Sequence, residues 1–301
     1  MAVIEVAGLR KAYGRRQVLE DVSFSVQRGE VFGLLGPNGA GKTTAVECCE
    51  GLRRADAGTV RVLGLDPLRD RAALRPRVGI QLQQAQLQGA LRVGEALELY
   101  AAFYPNPRDW RELLDEWGLA DQVRTPFDKL SGGQKQRLFI ALALIGNPEV
   151  AFLDELTTAL DPQGRRDTWE LIRRIRDEGV TVVLVSHFMD EVEALCDRAA
   201  VLDGGRIVAT GTPAELIARS GTGGTLGFRP TAPLDLGRLA ALRGVTGVEE
   251  RDGRIEVTGT GDFADEVTGL LAREGIVVTG LRIREHSLDD AYLALTRHDA
   301  A

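Results

Sequence analysis

Apolar and polar positions along this chain keep two distinct rhythms. Val31–Leu35, Val150–Leu153 and Val180–Val185 are short runs, apolar almost throughout and too short for helices. Such runs read as strands buried on both faces. Elsewhere the apolar spacing turns helical. Val93, Leu97, Tyr100, Ala101 and Tyr104 share one face; after the Pro105–Pro107 break, Trp110, Leu113, Leu114 and Trp117 share another. This predicts a helical insert of about two helices within residues 92–147, its aromatics serving as core. Asp161-Pro162 opens a further helix with Trp169, Leu171, Ile172 and Ile175 facing inward, and Gly179 ends it. The fold class is α/β.

The flanks are richer in strand. Val3–Val6 and Val22–Val26 read as strands, with a polar turn, Lys11–Gln17, between them. Gly58–Gly64 and Arg77–Gln83 read as two more, and Ala199–Leu202 with Arg206–Val208 as a hairpin across Asp203-Gly204-Gly205. Residues 1–219 thus read as one domain with a β-rich N-terminal part, 220–225 as a flexible glycine-rich linker, and 226–301 as a small α+β domain. That last domain alternates strands near Leu226, Val248–Val257 and Val277–Ile283 with helices near Leu236–Leu242, Phe263–Glu274 and Ser287–Leu295. It carries no evident chemistry, and the chain has no internal repeat.

Composition narrows the classes. With 44% hydrophobic and 27% charged residues among 301, the chain is ordinary for a globular protein of this size. Its 37 basic and 44 acidic residues give a formal charge of −7, which argues against a nucleic-acid partner gripped through phosphates. Cys48, Cys49 and Cys196 lack metal-ligand spacing, and their odd number suits a reducing compartment. No apolar stretch approaches the ~18 residues needed to span a bilayer. No signal-peptide pattern opens the sequence. Any work at a membrane requires another polypeptide to do the spanning.

The chemistry-bearing residues sit at the ends of the predicted strands. After Val31–Leu35 comes Gly36-Pro37-Asn38-Gly39-Ala40-Gly41-Lys42-Thr43-Thr44, which fits the phosphate-loop pattern G-x-x-x-x-G-K-[ST]. Strand, glycine loop and helix together let backbone N–H groups wrap a phosphate at a helix N-terminus. Lys42 then reaches the β- and γ-phosphates, and Thr43 offers its hydroxyl to Mg²⁺. Val150–Leu153 ends in Asp154-Glu155, a buried pair of carboxylates that needs partners. Mg²⁺ suits Asp154, and Glu155 is placed to orient or deprotonate a water. Val180–Val185 delivers Ser186-His187, where α/β folds place ligand contacts. Leu130-Ser131-Gly132-Gly133-Gln134 precedes an apolar helix. Ser131 with Gln134 is a capping-box pattern, while two glycines after the cap suit close approach of backbone to an anion.

Together these motifs resemble the nucleotide-binding subunit of an ATP-binding cassette (ABC) transporter, a P-loop NTPase with an ABC-type ATPase domain; the match spans roughly residues 2–219. The phosphate loop marks any nucleotide-binding protein, whereas Leu-Ser-Gly-Gly-Gln is specific to this family. The resemblance implies binding of ATP and Mg²⁺ and hydrolysis of ATP. Tyr13 matches the aromatic that stacks on adenine, and Gln83 the glutamine that touches Mg²⁺ and the membrane subunit. Ser131, Gly132, Gly133 and Gln134 match the signature that meets the γ-phosphate held by the opposite subunit. Asp154 matches the Mg²⁺ acid, Glu155 the catalytic glutamate, Asp161 the inter-subunit loop residue and His187 the γ-phosphate switch. The expected assembly is a homodimer sandwiching two ATP molecules head to tail. It would work at the cytoplasmic face of the membrane with a separate integral permease. The C-terminal domain, closing with Ser287–Thr296, is similar to that of single-cassette exporters for drugs, antibiotics and sodium, which favours export. The alternatives are an importer subunit or a soluble cassette ATPase acting on ribosomes or DNA. Leu156 departs from the proline usual after the glutamate, Ala159 from a usual glycine or serine, and Gln84 from a frequent acidic residue; Gln81 is a second glutamine near Gln83. None of these departures removes a reacting group.

Overall fold

The computed structural model describes residues 1–81, 86–157, 160–219, 223–285 and 287–296. The chain divides into two compact units, Met1–Pro213 and Ala214–Ala301.

In the first unit the chain order is β1 (Ala2–Tyr13), β2 (Arg16–Gln27), β3 (Val31–Leu35), α1 (Lys42–Cys49), β4 (Ala57–Val62), α2 (Arg71–Leu74) and β5 (Val78–Gln81). There follow α3 (Val93–Ala101), α4 (Trp110–Glu116), α5 (Gly132–Leu144), β6 (Val150–Asp154), α6 (Pro162–Asp177), β7 (Thr181–Val185), α7 (Met189–Leu195), β8 (Arg198–Asp203) and β9 (Arg206–Gly211). Among the described residues the strands form one sheet in the order β4-β1-β2-β9-β8-β3-β7-β6-β5. Strands β3, β8, β7, β6 and β5 pair in parallel; β1, β2 and β4 form an antiparallel flank.

Every residue of β3, β6 and β7 is buried, which is why these segments read as uninterrupted apolar runs. Phe32, Leu34, Phe152, Val183 and Val185 join Ile4, Leu19 and Val26 of the flank in one hydrophobic core. The expected Lys11–Gln17 turn is corrected. Strand β1 runs to Tyr13 and β2 starts at Arg16, with Tyr13 and Arg16 paired across a two-residue turn. Polar residues there face solvent on a two-stranded ribbon, so their polarity does not interrupt the strands. The insert holds α3, α4 and the start of α5, with Leu97, Leu113, Leu114 and Trp117 buried.

In the second unit the order is α8 (Pro213–Arg219, whose first residue belongs to unit one), β10 (Gly223–Pro230), α9 (Leu236–Ala240), β11 (Val245–Arg251), β12 (Arg254–Thr260), α10 (Phe263–Arg273), β13 (Val278–Glu285) and α11 (Leu288–Thr296). The antiparallel sheet β11-β12-β10-β13 with its two intervening helices is a βαββαβ, ferredoxin-like unit around Leu226, Phe228, Val257, Val267 and Leu270. Gly223–Thr225, within the stretch read as linker, begin β10.

Candidate functional site

Three neighbouring parallel strands bring the site together. Leu34 of β3 pairs with Val185 of β7, and Val185 with Asp154 of β6. The phosphate loop, Asp154-Glu155 and Ser186-His187 therefore leave the sheet side by side, at the carboxyl ends where α/β folds bind ligands.

The loop's glycines are dictated by space. Gly36 (φ 154°) and Gly41 (φ 104°) adopt backbone conformations that side chains disfavour. A Cβ on Gly36 would lie 2.2 Å from the Leu202 carbonyl oxygen, and one on Gly41 2.6 Å from Leu19 Cδ2. Between them the Ala40 N–H donates to the Pro37 carbonyl at 3.2 Å, closing the turn through Asn38 and Gly39. Helix α1 begins at Lys42 with no side-chain cap and no acidic residue in its first turn. Its free N–H groups and positive dipole end, with Thr43 and Thr44 beside them, are disposed for an anion. Lys42 is buried, and its Nζ donates to the Gly36 and Pro37 carbonyls at 2.8 and 3.1 Å. Burial lowers its pKa, against the opposing pull of Asp154 and Glu155.

Asp154 is buried, and its carboxyl is pushed up to about 6, first by burial and then by neighbouring Glu155. Thr43 Oγ1 donates toward Oδ2 at 3.5 Å, while Oδ1 has no hydrogen-bond partner among the described residues. These two hard oxygen donors suit a small divalent cation. No cluster of three His, Cys, Asp or Glu that could cage a metal occurs among the described residues. A cation here would draw its other ligands from phosphate and water.

Glu155 sits at φ 50°, a left-handed conformation that a non-glycine residue adopts at some expense and that recurs at active sites. Its N–H donates to the Val185 carbonyl at 2.9 Å, pinning it to β7. His187 Nδ1 lies 3.3 Å from Glu155 Oε1, within ion-pair range but not aligned as a hydrogen bond. The sheet thus brings together two groups that are 32 residues apart in sequence (187 minus 155).

The Ser-Gly-Gly-Gln segment forms the capping box its spacing predicts. The Gln134 N–H donates to Ser131 Oγ at 3.2 Å, and the Ser131 N–H to Gln134 Oε1 at 2.9 Å. A cavity of about 340 Å³ joins Ser131, Gly132 and Gly133 to Leu160, Asp161 and Gly164. Asp161 caps α6 by accepting the Gly164 N–H at 2.7 Å. No residue of the phosphate loop lines this cavity. Tyr13 ends β1, 42% exposed, with the Arg53 guanidinium 5.2 Å and the Lys11 ammonium 5.7 Å from its ring. Gln83, Gln84 and Ala159 lie outside the described residues. Gln81 ends β5 and is buried, and Leu156 is fully buried.

One feature escaped the sequence reading. A groove of about 1170 Å³ is lined by residues of three separated segments, among them Glu50, Leu52, Arg71, Tyr100, Phe103 and Tyr104. Phe103, placed in the core by its helical context, is 72% exposed, and Leu52 is 55% exposed. An aromatic just before the Pro105 break was the available signal. Burial, reinforced by Asp154 and Glu47, pushes the Glu50 carboxyl up from 4.5 to about 8. The folded chain therefore holds a proton that the unfolded chain has released, and stability falls as pH rises from about 4.5 through about 8. Glu50→Gln is expected to match wild type in thermal melts near pH 4.5 and to unfold several degrees higher at pH 8.5. An offset that is equal at every pH would contradict this.

A phosphate loop, an aspartate-glutamate strand end and a histidine on adjacent parallel strands define a P-loop nucleoside triphosphatase. Residues 19–158 match the ABC transporter family. The chain is 38% identical to the "Daunorubicin resistance ATP-binding protein DrrA3" of Streptomyces coeruleorubidus, over 98% of this chain and 96% of that protein. It is 41% identical to the "Nod factor export ATP-binding protein I" of Ralstonia nicotianae, over 71% of this chain and 68% of that protein. A solved dimeric ATP-binding cassette in a post-hydrolysis state with ADP and Pi superposes with TM-score 0.63 at 26% identity, covering 69% of this chain and 98% of that one. The chain belongs to the ATP-binding subunits of ABC transporters, and it is an ATPase. No helix among the described residues is long and apolar enough to cross a membrane.

Proposed function

We propose that this chain powers export of a drug-like or antibiotic-like compound through a separate membrane-spanning permease. It does so as a homodimer that closes head to tail around two ATP molecules at the cytoplasmic face. The observation that carries the hydrolytic half is the alignment of the phosphate loop, Glu155 and His187 on adjacent strands. Lys42 and the α1 N-terminus hold the β- and γ-phosphates. Thr43 and Asp154, with Gln83 on the family's pattern, would hold Mg²⁺, which offsets phosphate charge when bound. Glu155 takes the proton of the attacking water, and His187 steadies the γ-phosphate and the Glu155 carboxylate beside it. Tyr13 offers a ring face to adenine.

The dimer is supported by the signature cavity. Its capping serine, two glycines and Asp161 form a surface for an anion, yet none of this chain's own phosphate loop reaches it. A second copy turned head to tail supplies the missing half. The permease is supported by the groove beside the helical insert, whose exposed Phe103 and Leu52 are apolar surface for a partner's helix. Export of such compounds rests on the drug-resistance and export relatives, the first of which is matched along nearly its whole length, C-terminal unit included.

Purifying the tagged Glu155→Gln chain from membranes with ATP tests this. It is expected to recover one multi-spanning protein, and the added change Phe103→Glu is expected to cut that recovery by about tenfold, as loss of an apolar anchor does. Ribosomes or nucleic acid in place of a membrane protein would overturn the transport reading. Full recovery with Phe103→Glu would remove the groove from it.

A further inference from the structure

Helix α7 follows His187 and buries Met189, Val192 and Leu195, but on that same face it buries Glu191, which has no exposed surface. A fully buried carboxyl on an apolar face demands a reason. Burial raises its pKa, and three donors pull the other way: Ser186, Thr157 and Trp169. These neighbours come from three places that matter. Thr157 lies two residues beyond Glu155, Ser186 precedes His187, and Trp169 belongs to α6, the helix that Asp161 caps. None of the three meets full hydrogen-bond alignment: both Glu191 oxygens, Thr157 Oγ1 and Trp169 Nε1 are buried without an aligned partner. Ser186 Oγ in turn accepts the Phe188 N–H at 3.0 Å, shaping the turn that presents His187. The adjacent Asp190 takes Arg165 of α6 in a two-pronged bond at 2.8 and 3.0 Å, and the Arg165 guanidinium lies 4.7 Å from the centre of the Phe188 ring.

We propose that Glu191 is a positioning residue for ATP hydrolysis, tying the loop that carries Glu155 to the loop that carries His187. The inference rests on the reading of those two residues as the reacting pair. The Glu191 carboxyl accepts from the Thr157 and Ser186 hydroxyls, so one buried group fixes the segments on both sides of the 3.3 Å contact between Glu155 and His187. The Trp169 N–H and the Arg165–Asp190 pair hold this group to α6. A buried polar cluster of loose geometry has room to tighten when the site closes on nucleotide, and small errors of placement at a reacting centre are costly to rate.

The test measures kcat and KM for ATP of the full chain, with ATP affinity and unfolding midpoint, for Glu191→Ala, Glu191→Gln and Thr157→Val. Glu191→Ala is expected to lower kcat by about 30-fold while KM and ATP affinity stay within threefold of wild type. Glu191→Gln keeps an acceptor oxygen at equal size and is expected to hold kcat within threefold. Thr157→Val, which removes one hydroxyl at constant shape, is expected to lower kcat by about tenfold; it stands as the deciding variant if Glu191→Ala does not fold. An unchanged kcat in Thr157→Val overturns the proposal. So does a parallel loss of kcat and ATP affinity in Glu191→Ala, or a Glu191→Gln enzyme as slow as Glu191→Ala. Glu155→Gln, run alongside, separates the two readings. Wild-type turnover there removes the role of Glu155 itself, whereas slow turnover there with normal Thr157→Val removes only the role of Glu191.

Discussion

Replacing Glu155 by Gln is expected to lower steady-state ATP turnover by about a thousandfold, the scale of a lost general base, while ATP remains bound. The amide has the shape of the carboxyl, so the φ 50° backbone and the Glu155 N–H bond to Val185 persist. What disappears is the proton acceptor 3.3 Å from His187. A dimer closed on two ATP molecules then has no route to reopen. Size-exclusion chromatography with ATP is expected to give a stable dimer for the variant and mostly monomer for wild type after hydrolysis. A variant that turned over ATP at wild-type rate would sink the assignment of Glu155.

Lys42→Ala is expected to act one step earlier. In this fold Nζ is held by two backbone carbonyls of its own loop, which preset it over the phosphate position. Two charge-assisted bonds to phosphate at about 1.5 kcal/mol each correspond to a roughly 100-fold loss of ATP affinity on removal. Turnover falls below detection for want of charge stabilisation. Titration with a fluorescent ATP analogue, beside a thermal melt to show the chain folded, checks this. Undiminished affinity in a folded variant would remove the loop from the site.

The hydrolytic centre was legible in the sequence because each of its parts ends a fully buried strand. Val31–Leu35, Val150–Leu153 and Val180–Val185 stand out by apolarity alone, and the polar residue after each is conspicuous. The capping box of Ser131 and Gln134 was legible for a similar reason, since its two members lie within one helical turn. The long β1–β2 ribbon was not, because a solvent-facing strand carries polar residues that mimic a turn. Glu191 was invisible too. Nothing in Met189–Leu195 says which face of a seven-residue helix is buried, and the carboxyl gains its meaning only from Thr157, Ser186 and Trp169. The groove needed Glu50, Arg71 and Phe103 to meet, and no local pattern reports such a meeting.

The strand order carries one more consequence, for the way this protein is made. Strand β3, which feeds the phosphate loop, is flanked by β7 and β8, so its neighbours leave the ribosome some 150 residues after it, as Val31 pairing with Val182 records. A nascent chain that has already displayed its glycine loop still lacks the sheet that holds the loop in shape. Parallel pairings of such long range form slowly. Nucleotide affinity is therefore acquired late, when β7 docks, and free ATP in the cell then favours the finished domain over its partly assembled precursors, as any ligand of the native state does.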